Sequence, residues 1–276
     1  MIFLINGPPT PSRVLDPRDS PGGPTQKICP TMSMTEKILH LDKWKPNNYN
    51  NAELAMANPG IKEIKTMKYS GMPAFMWFLY KKSFRDHLQS DLGFDSDKAN
   101  RMTAKAKPRY KSIIEKLPDF EREDRFKTNI VNCALLIAFL QSMDRRPSLD
   151  ELTKFYANAM STKATEFFCR SAGKNKFTQK DIEGMKKAAA LNAADRNNYS
   201  WNMKYIPYDD NSGYEARFTK CGICTLMKEY GFFDLVPAMC NLDYVMSDMG
   251  GTSTFVREYT LASGGSYCDC GYKKKS

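Results

Sequence analysis

A chain of 276 residues with 42% hydrophobic and 26% charged side chains has the composition of an ordinary globular protein, and it is long enough to bury a sizeable core. No stretch nears the ~20 apolar residues needed to cross a bilayer, and the opening "MIFLI" is too short for a secretory signal, so the expected compartment is the cytoplasm, with no membrane partner. A net charge of +10 favours anionic partners without naming one.

Residues 1–31 hold seven of the fifteen prolines and little apolar surface, so residues 1–45 are expected to form a disordered tail. Met32 and Met34 are candidate starts of a shorter product. From 46 to 198 the pattern is helical. "NNAELAMANPG" predicts a short helix stopped by Asn58-Pro59-Gly60. "PAFMWFLYKKSFRDHLQSDLG" places Phe75, Phe78, Leu79 and Lys82 at helical spacing and ends near Gly93. "SDKANRMTAKAKPRYKSIIEKL" predicts a helix kinked or broken at Pro108. "EREDRFKTNIVNCALLIAFLQSM" is the most apolar segment and is expected at the centre. "SLDELTKFYANAMSTKATEFFCRSAG" reads as one helix opened by the capping box Ser148/Glu151 and closed at Gly173. "TQKDIEGMKKAAALNAADR" follows, capped by Thr178.

Between Ile61 and Leu117 there are 13 Lys/Arg against 6 Asp/Glu, interleaved with Tyr69, Trp77, Phe84 and Tyr110. A nucleic-acid-binding face uses such a mixture, but no nucleic-acid motif accompanies it. The reading adopted is a set of solvated helix faces with their aromatics turned inward, and no nucleic-acid partner. Apolar surface left on the helical block would support a homodimer.

Residues 199–276 change character. "YSWNMKYIPY" and "YEARFTK" predict a hairpin turned at "DDNSG". Two helices follow, "GICTLMKEYG" and "FDLVPAMCNLDYVMSDMGG". Two more strands are expected in "STFVREYTLAS" and "SYCDCGYKK", joined by Gly264-Gly265. The fold class expected is α+β: an N-terminal helical bundle packed with a small C-terminal antiparallel sheet carrying two helices, the regions 46–198 and 199–276 forming one composite domain.

Five of the eight cysteines fall in the last fifth of the chain. Cys133 and Cys169, on apolar helix faces, read as core, and Cys29 lies in the tail. "CGIC" has redox spacing at a helix start, but no parallel βαβ unit surrounds it. Cys221, Cys224, Cys268 and Cys270 have the makings of a Cys₄ zinc site, with Cys240 or Asp243 as alternative ligands. Only two histidines exist: His40 near the tail, and His87 in the helical block as a partly exposed helix residue. Hydrolytic chemistry would therefore fall to cysteine and carboxylate. Asp243 follows Cys240 by three residues on a predicted helix, which puts both on one face. A carboxylate beside a thiol raises its pKa unless a cation intervenes, and Lys220, next to Cys221, and Arg257 are the candidates to supply it. Cys270, two residues beyond Cys268 on a strand, faces the same side as an added ligand or a small core filler.

The segments "TKC" (219–221), "EYGFFDLVPAMCNLDY" (229–244) and "REYTLASGGSYCDCGY" (257–272) together resemble the L-2-amino-thiazoline-4-carboxylic acid hydrolase family, which spaces a cysteine, a Cys-x-x-Asp and a Gly-x-x-Cys over such a stretch. The resemblance covers residues 213–272 and puts Cys221, Cys240, Asp243, Gly265 and Cys268 at the motif positions. The chain departs from the family at Cys270, commonly aromatic, at Lys220, often arginine, and at Cys224, outside the pattern. The resemblance implies hydrolytic opening of a carbon–nitrogen bond in a small cyclic amidine carboxylate. Cys268 would be nucleophile or ligand, and Asp243 the base. Cys221 and Cys240 would complete a metal site for zinc or manganese with Cys268, or orient the nucleophile. Arg257 or Lys220 would hold the substrate carboxylate, and the Gly264-Gly265 turn would offer backbone N–H groups to an anion. The competing class is a non-catalytic small-molecule-binding or sensory module with a structural cysteine–metal site, of the kind that the 4-vinyl reductase domains resemble. Reactive thiols would mark the enzyme, and inert ones the module.

Overall fold

The computed structural model describes residues 65–121, 123–194 and 197–275. The expected tail, the helix expected at "NNAELAMANPG", Cys29 and His40 lie outside them. Six helices come first: α1 (Met72–Ser90), α2 (Ser96–Lys116), α3 (Lys127–Leu140), α4 (Leu149–Met160), α5 (Lys163–Asn175) and α6 (Gln179–Ala194). The strands β1 (Asn202–Pro207) and β2 (Gly213–Lys220) follow, then α7 (Gly222–Glu229), α8 (Val236–Gly250), β3 (Ser253–Val256) and β4 (Cys268–Lys274). This is the α+β architecture foreseen.

Helix α3 has no polar face to offer water, and every residue from Thr128 to Leu140 is buried. It packs against α2 and α7. Helix α1 turns a different face inward from the one its spacing singled out. Trp77, Tyr80, Phe84 and Leu88 are buried, while Phe75 and Phe78 are 47% and 71% exposed. The segment is apolar on both sides, and the larger aromatic ladder wins. Trp77 stacks on Tyr110 and Phe139, each at 5.9 Å, and Phe84 lies 4.8 Å from Phe139 and 5.4 Å from Phe155. Trp77, Phe84 and Tyr110 are thus core side chains, and Tyr69 is half-buried with its ring 5.8 Å from Tyr110.

Pro108 does not break α2, which runs unbroken through it. Pro108 and Ala104 are both exposed, so the carbonyl that loses its partner faces water. The capping box at Ser148 is present, with Ser148 Oγ accepting from Glu151 N and Glu151 accepting from Ser148 N. The single helix expected over 148–173 is two. Thr162 leaves helical backbone geometry and accepts the N–H of Thr165, so α5 starts anew with its own cap. Thr178 Oγ1 accepts from Asp181 N at the start of α6.

The sheet is antiparallel in the order β1-β2-β4-β3. In its register Phe218 faces Cys268, Ala216 faces Cys270 and Tyr214 faces Tyr272. All six are buried, so β2 and β4 share one inward face. Helix α8 packs on β3 and also on α4 and α5, which makes it the junction between bundle and sheet. A Cβ on Gly173 of α5 would stand 2.3 Å from the Gly250 carbonyl, so only glycine allows α5 this close to the end of α8.

The strand expected over "STFVREYTLAS" stops at Val256. The carboxylate of Asp269 accepts the N–H groups of Glu258 at 3.0 Å and Tyr259 at 2.7 Å. A side chain thereby takes the donors that a longer ladder would use, and the chain turns away after pairing Val256 with Gly271.

Candidate functional site

Helix α8 carries Cys240 and Asp243 one turn apart, the loop after β3 brings in Arg257, and β4 supplies Cys268 and Cys270. Asp243 and Arg257 form an ion pair, Nη1 donating to Oδ2 at 2.9 Å, with side chains only 8% and 7% exposed. Arg257 Nη2 donates to the Cys240 carbonyl at 3.0 Å. The guanidinium lies 5.3 Å from the Tyr244 ring centre and 5.2 Å from that of Phe255. Burial opposes its charge, yet Asp243 and the thiols of Cys240 and Cys270 hold its pKa above the ordinary arginine value.

The thiols are held neutral at pH 7. Burial pushes Cys240 up to about 12, with Arg257 pulling down and Cys221, Asp243 and Cys268 adding to the rise. Burial also raises Cys268 and Cys270, and the Asp243 charge raises both further. Cys268 has two opposing influences: the Leu261 N–H, which donates to its sulfur at 3.2 Å, and Arg257. Cys221, the N-cap of α7, is raised well above the usual thiol value by the Cys224 thiol and by burial. Cys221 is felt by Cys133 on α3, by Cys240 and by Cys268. Cys221, Cys240, Asp243 and Cys268 thus lie near enough to influence one another's charge, as do Arg257 and Cys270.

Other expected members are placed elsewhere. Lys220 Nζ donates to the Asn197 carbonyl. Gly264 adopts φ 85, and its N–H and that of Gly265 donate to the carbonyls of Leu261 and Thr260. The glycine turn thus spends on itself the N–H groups expected to serve an anion. Arg257 is engaged by Asp243. Cys133 and Cys169 are buried in helices α3 and α5. His87 pairs with Asp91, the residue that caps the end of α1, at 2.9 Å. Among the described residues no three His, Cys, Asp or Glu side chains converge to hold a metal ion. Cys221, Cys240 and Cys268 offer no ready ligand set for zinc or manganese, and neither do the four cysteines of the Cys₄ alternative.

Asp243 has a second environment that sequence reasoning missed. It lines a cavity together with Arg125, Lys176, Asp181, Tyr214 and Tyr272. Tyr214 donates its hydroxyl to Asp181 Oδ2 at 2.6 Å, and Phe177 N donates to the same oxygen at 2.9 Å. Arg125 in "EREDRFK" and Lys176 in "GKNKFT" carry no local signal that separates them from surface charge.

A buried ion pair among thiols lies at the inner face of the small sheet, where burial and charge shift several pKa values together. The family model described as L-2-amino-thiazoline-4-carboxylic acid hydrolase matches residues 123–272. That is more than half of the chain, and the chain belongs to this family. The match begins before α3, well upstream of the segment that carried the resemblance, and leaves α1 and α2 outside. No curated protein and no solved structure matches the chain, and no helix among the described residues is long and apolar enough to cross a membrane.

Proposed function

We propose that the protein hydrolyses a small cyclic amidine bearing a carboxylate, of the 2-amino-thiazoline-4-carboxylate type, by opening a ring carbon–nitrogen bond. The observation that carries this reading is the Asp243–Arg257 pair set among Cys240, Cys268 and Cys270, inside the segment that matches the family. The amidine carbon is electrophilic, and its opening needs a nucleophile and a group that moves protons. Cys268 is the nucleophile. Its thiol is protonated at rest, so Asp243 takes that proton as sulfur bonds to the ring carbon. The Leu261 N–H and Arg257 offset the charge that develops on sulfur. The carbon–nitrogen bond then breaks, and Asp243 returns the proton to the leaving ring nitrogen. Water, deprotonated by Asp243, attacks the same carbon and releases Cys268, which regains its proton. The net change is one water added. Cys221 and Cys240 keep the surroundings of the sulfur apolar and closed, and Arg257 fixes the carboxylate of Asp243.

The test is incubation of the purified protein with 2-amino-thiazoline-4-carboxylate, read by mass spectrometry with and without added divalent metal. The expected product gains one water and shows a new free amine without a new free thiol. Cys268→Ser is expected to lose ring opening by about 10²-fold or more, and full activity in that variant would remove the nucleophile from the scheme. A folded protein that leaves the compound unchanged under both conditions defeats the hydrolase reading. Binding without turnover in that assay is the signature of the sensory module.

A further inference from the structure

We infer that the cavity beside Asp243 is a carboxylate-binding subsite, in which Arg125 and Lys176 together hold the anion next to the reacting groups. The cations come from separate parts of the chain: Arg125 just ahead of α3, and Lys176 in the turn from α5 to α6. Neither has an ion-pair partner among the described residues. Arg125 Nη1 reaches only the Met185 thioether at 3.1 Å, and its buried Nη2 has no hydrogen-bond partner. Lys176 Nζ sits 3.2 Å from the centre of the Tyr272 ring and 5.2 Å from that of Tyr214. The carboxylates that share the cavity are already engaged, Asp181 by Tyr214 and Phe177 and Asp243 by Arg257.

Two like charges thus face one small cavity, each half-buried, with the carboxylates of Asp181 and Asp243 in the same lining. Each carries the mark of it. Burial lowers the Lys176 pKa to about 8 against the Asp181 charge, with Arg125 adding to the fall, and burial lowers that of Arg125 against the same carboxylate. A guanidinium edge left without an acceptor is costly, and a carboxylate fits its planar fork while also meeting an ammonium beside it. The backbone invests in this placement. Phe177, directly after Lys176, stands at φ 63, uncommon for a bulky residue, and its N–H is held by Asp181. The ligand class is a small monocarboxylate. That it is the substrate's own carboxylate rests on the hydrolase reading, whereas the preference of the cavity for an anion does not.

The test uses thiazolidine-4-carboxylate, which keeps a ring and a carboxylate but lacks the amidine. Titration calorimetry on the full chain compares wild type with Arg125→Gln and Lys176→Met. Each variant is expected to bind the probe about tenfold or more weakly, the loss of one charged hydrogen bond. The affinity for 2-amino-2-thiazoline, which has no carboxylate, should stay within about twofold. Equal probe affinity in wild type and both folded variants overturns the assignment, as does a wild type that does not bind the probe. Should a variant fail to fold, reductive methylation of wild type mapped to Lys176 decides the matter. Protection by saturating probe supports the subsite, and unchanged labelling overturns it. Ring opening is scored separately. Loss of probe binding in the variants of a protein that never opens the ring keeps the subsite and removes the hydrolase, while ring opening with unchanged probe binding does the reverse.

Discussion

The interior around α3 and the interior between α8 and the sheet are built of different materials. The first is an aromatic and aliphatic stack in which Trp77, Phe84, Phe139 and Phe155 meet ring to ring. Asn132 is an exception there, its amide buried with no hydrogen-bond partner among the described residues. The second holds an ion pair, a group of thiols, and the hydroxyls of Ser247 and Ser253, which bond each other at 2.9 Å. Apolar contacts stabilise in proportion to the area buried, whereas buried polar groups at best recover what their desolvation costs. Stability is therefore expected to reside mainly in the helical interior, and chemistry at the junction that α8 makes with the sheet.

Asp243→Asn separates the two most sharply. The amide keeps an oxygen for Arg257 but is a poor base, so the rate of ring opening is expected to fall by about 10²- to 10⁴-fold, checked by steady-state kinetics beside a circular dichroism melt. Phe139→Ala is the mirror image. It opens a cavity beside Trp77 and Phe84 and is expected to cost about 3–5 kcal/mol in urea unfolding, with turnover per folded molecule unchanged.

Next in size is a difference in pH dependence within the polar interior. Lys176 is charged in both states below about 8. Between there and the ordinary lysine value near ~10.4, the unfolded chain binds a proton that the folded one has released. Stability from this residue therefore rises with pH across that window, by up to about 1.4 kcal/mol per unit. The buried thiol of Cys240 works the other way. Its contribution is complete below the usual thiol value near ~8.5 and is lost as pH rises towards about 12. Urea unfolding between pH 7 and 10 should show wild type gaining on Lys176→Met as pH rises, and parallel curves would contradict the buried ammonium. The smallest effect is expected at an exposed helix start, where Ser148→Ala removes one capping bond and costs about 1 kcal/mol.

Features that rest on neighbours in sequence were the legible ones. The Ser148/Glu151 box, the hairpin turn, the apolar α3 and the Cys240/Asp243 spacing each follow from a few adjacent residues. What depends on distant partners was not legible. Phe75 and Trp77 are equally apolar on paper, and only Tyr110 and Phe139 decide which of them is buried. Nothing near Thr162 says that it will cap rather than continue a helix. The cysteines and Asp243 advertise themselves by type, but Arg125 and Lys176 are ordinary cations until the fold leaves them facing one cavity. Gly264 and Gly265 advertised an anion loop, and their N–H groups proved to be consumed within their own turn.

Asp269 stands between two inward-facing cysteines and points the other way, where it holds the amides of Glu258 and Tyr259. The loop is thereby tied on both sides, to β4 through the two hydrogen bonds of Asp269 and to α8 through Arg257 and Asp243. A segment tied in this way has few torsions left to relax independently, so the backbone that carries the guanidinium is steadied by the strand as well as by the helix it pairs with. Glu258 and Tyr259 are exposed residues outside any strand, and yet their amides should exchange with solvent deuterium as slowly as those of β4. In Asp269→Ala those two amides should exchange at loop rates, and the hold on Arg257 should loosen with them.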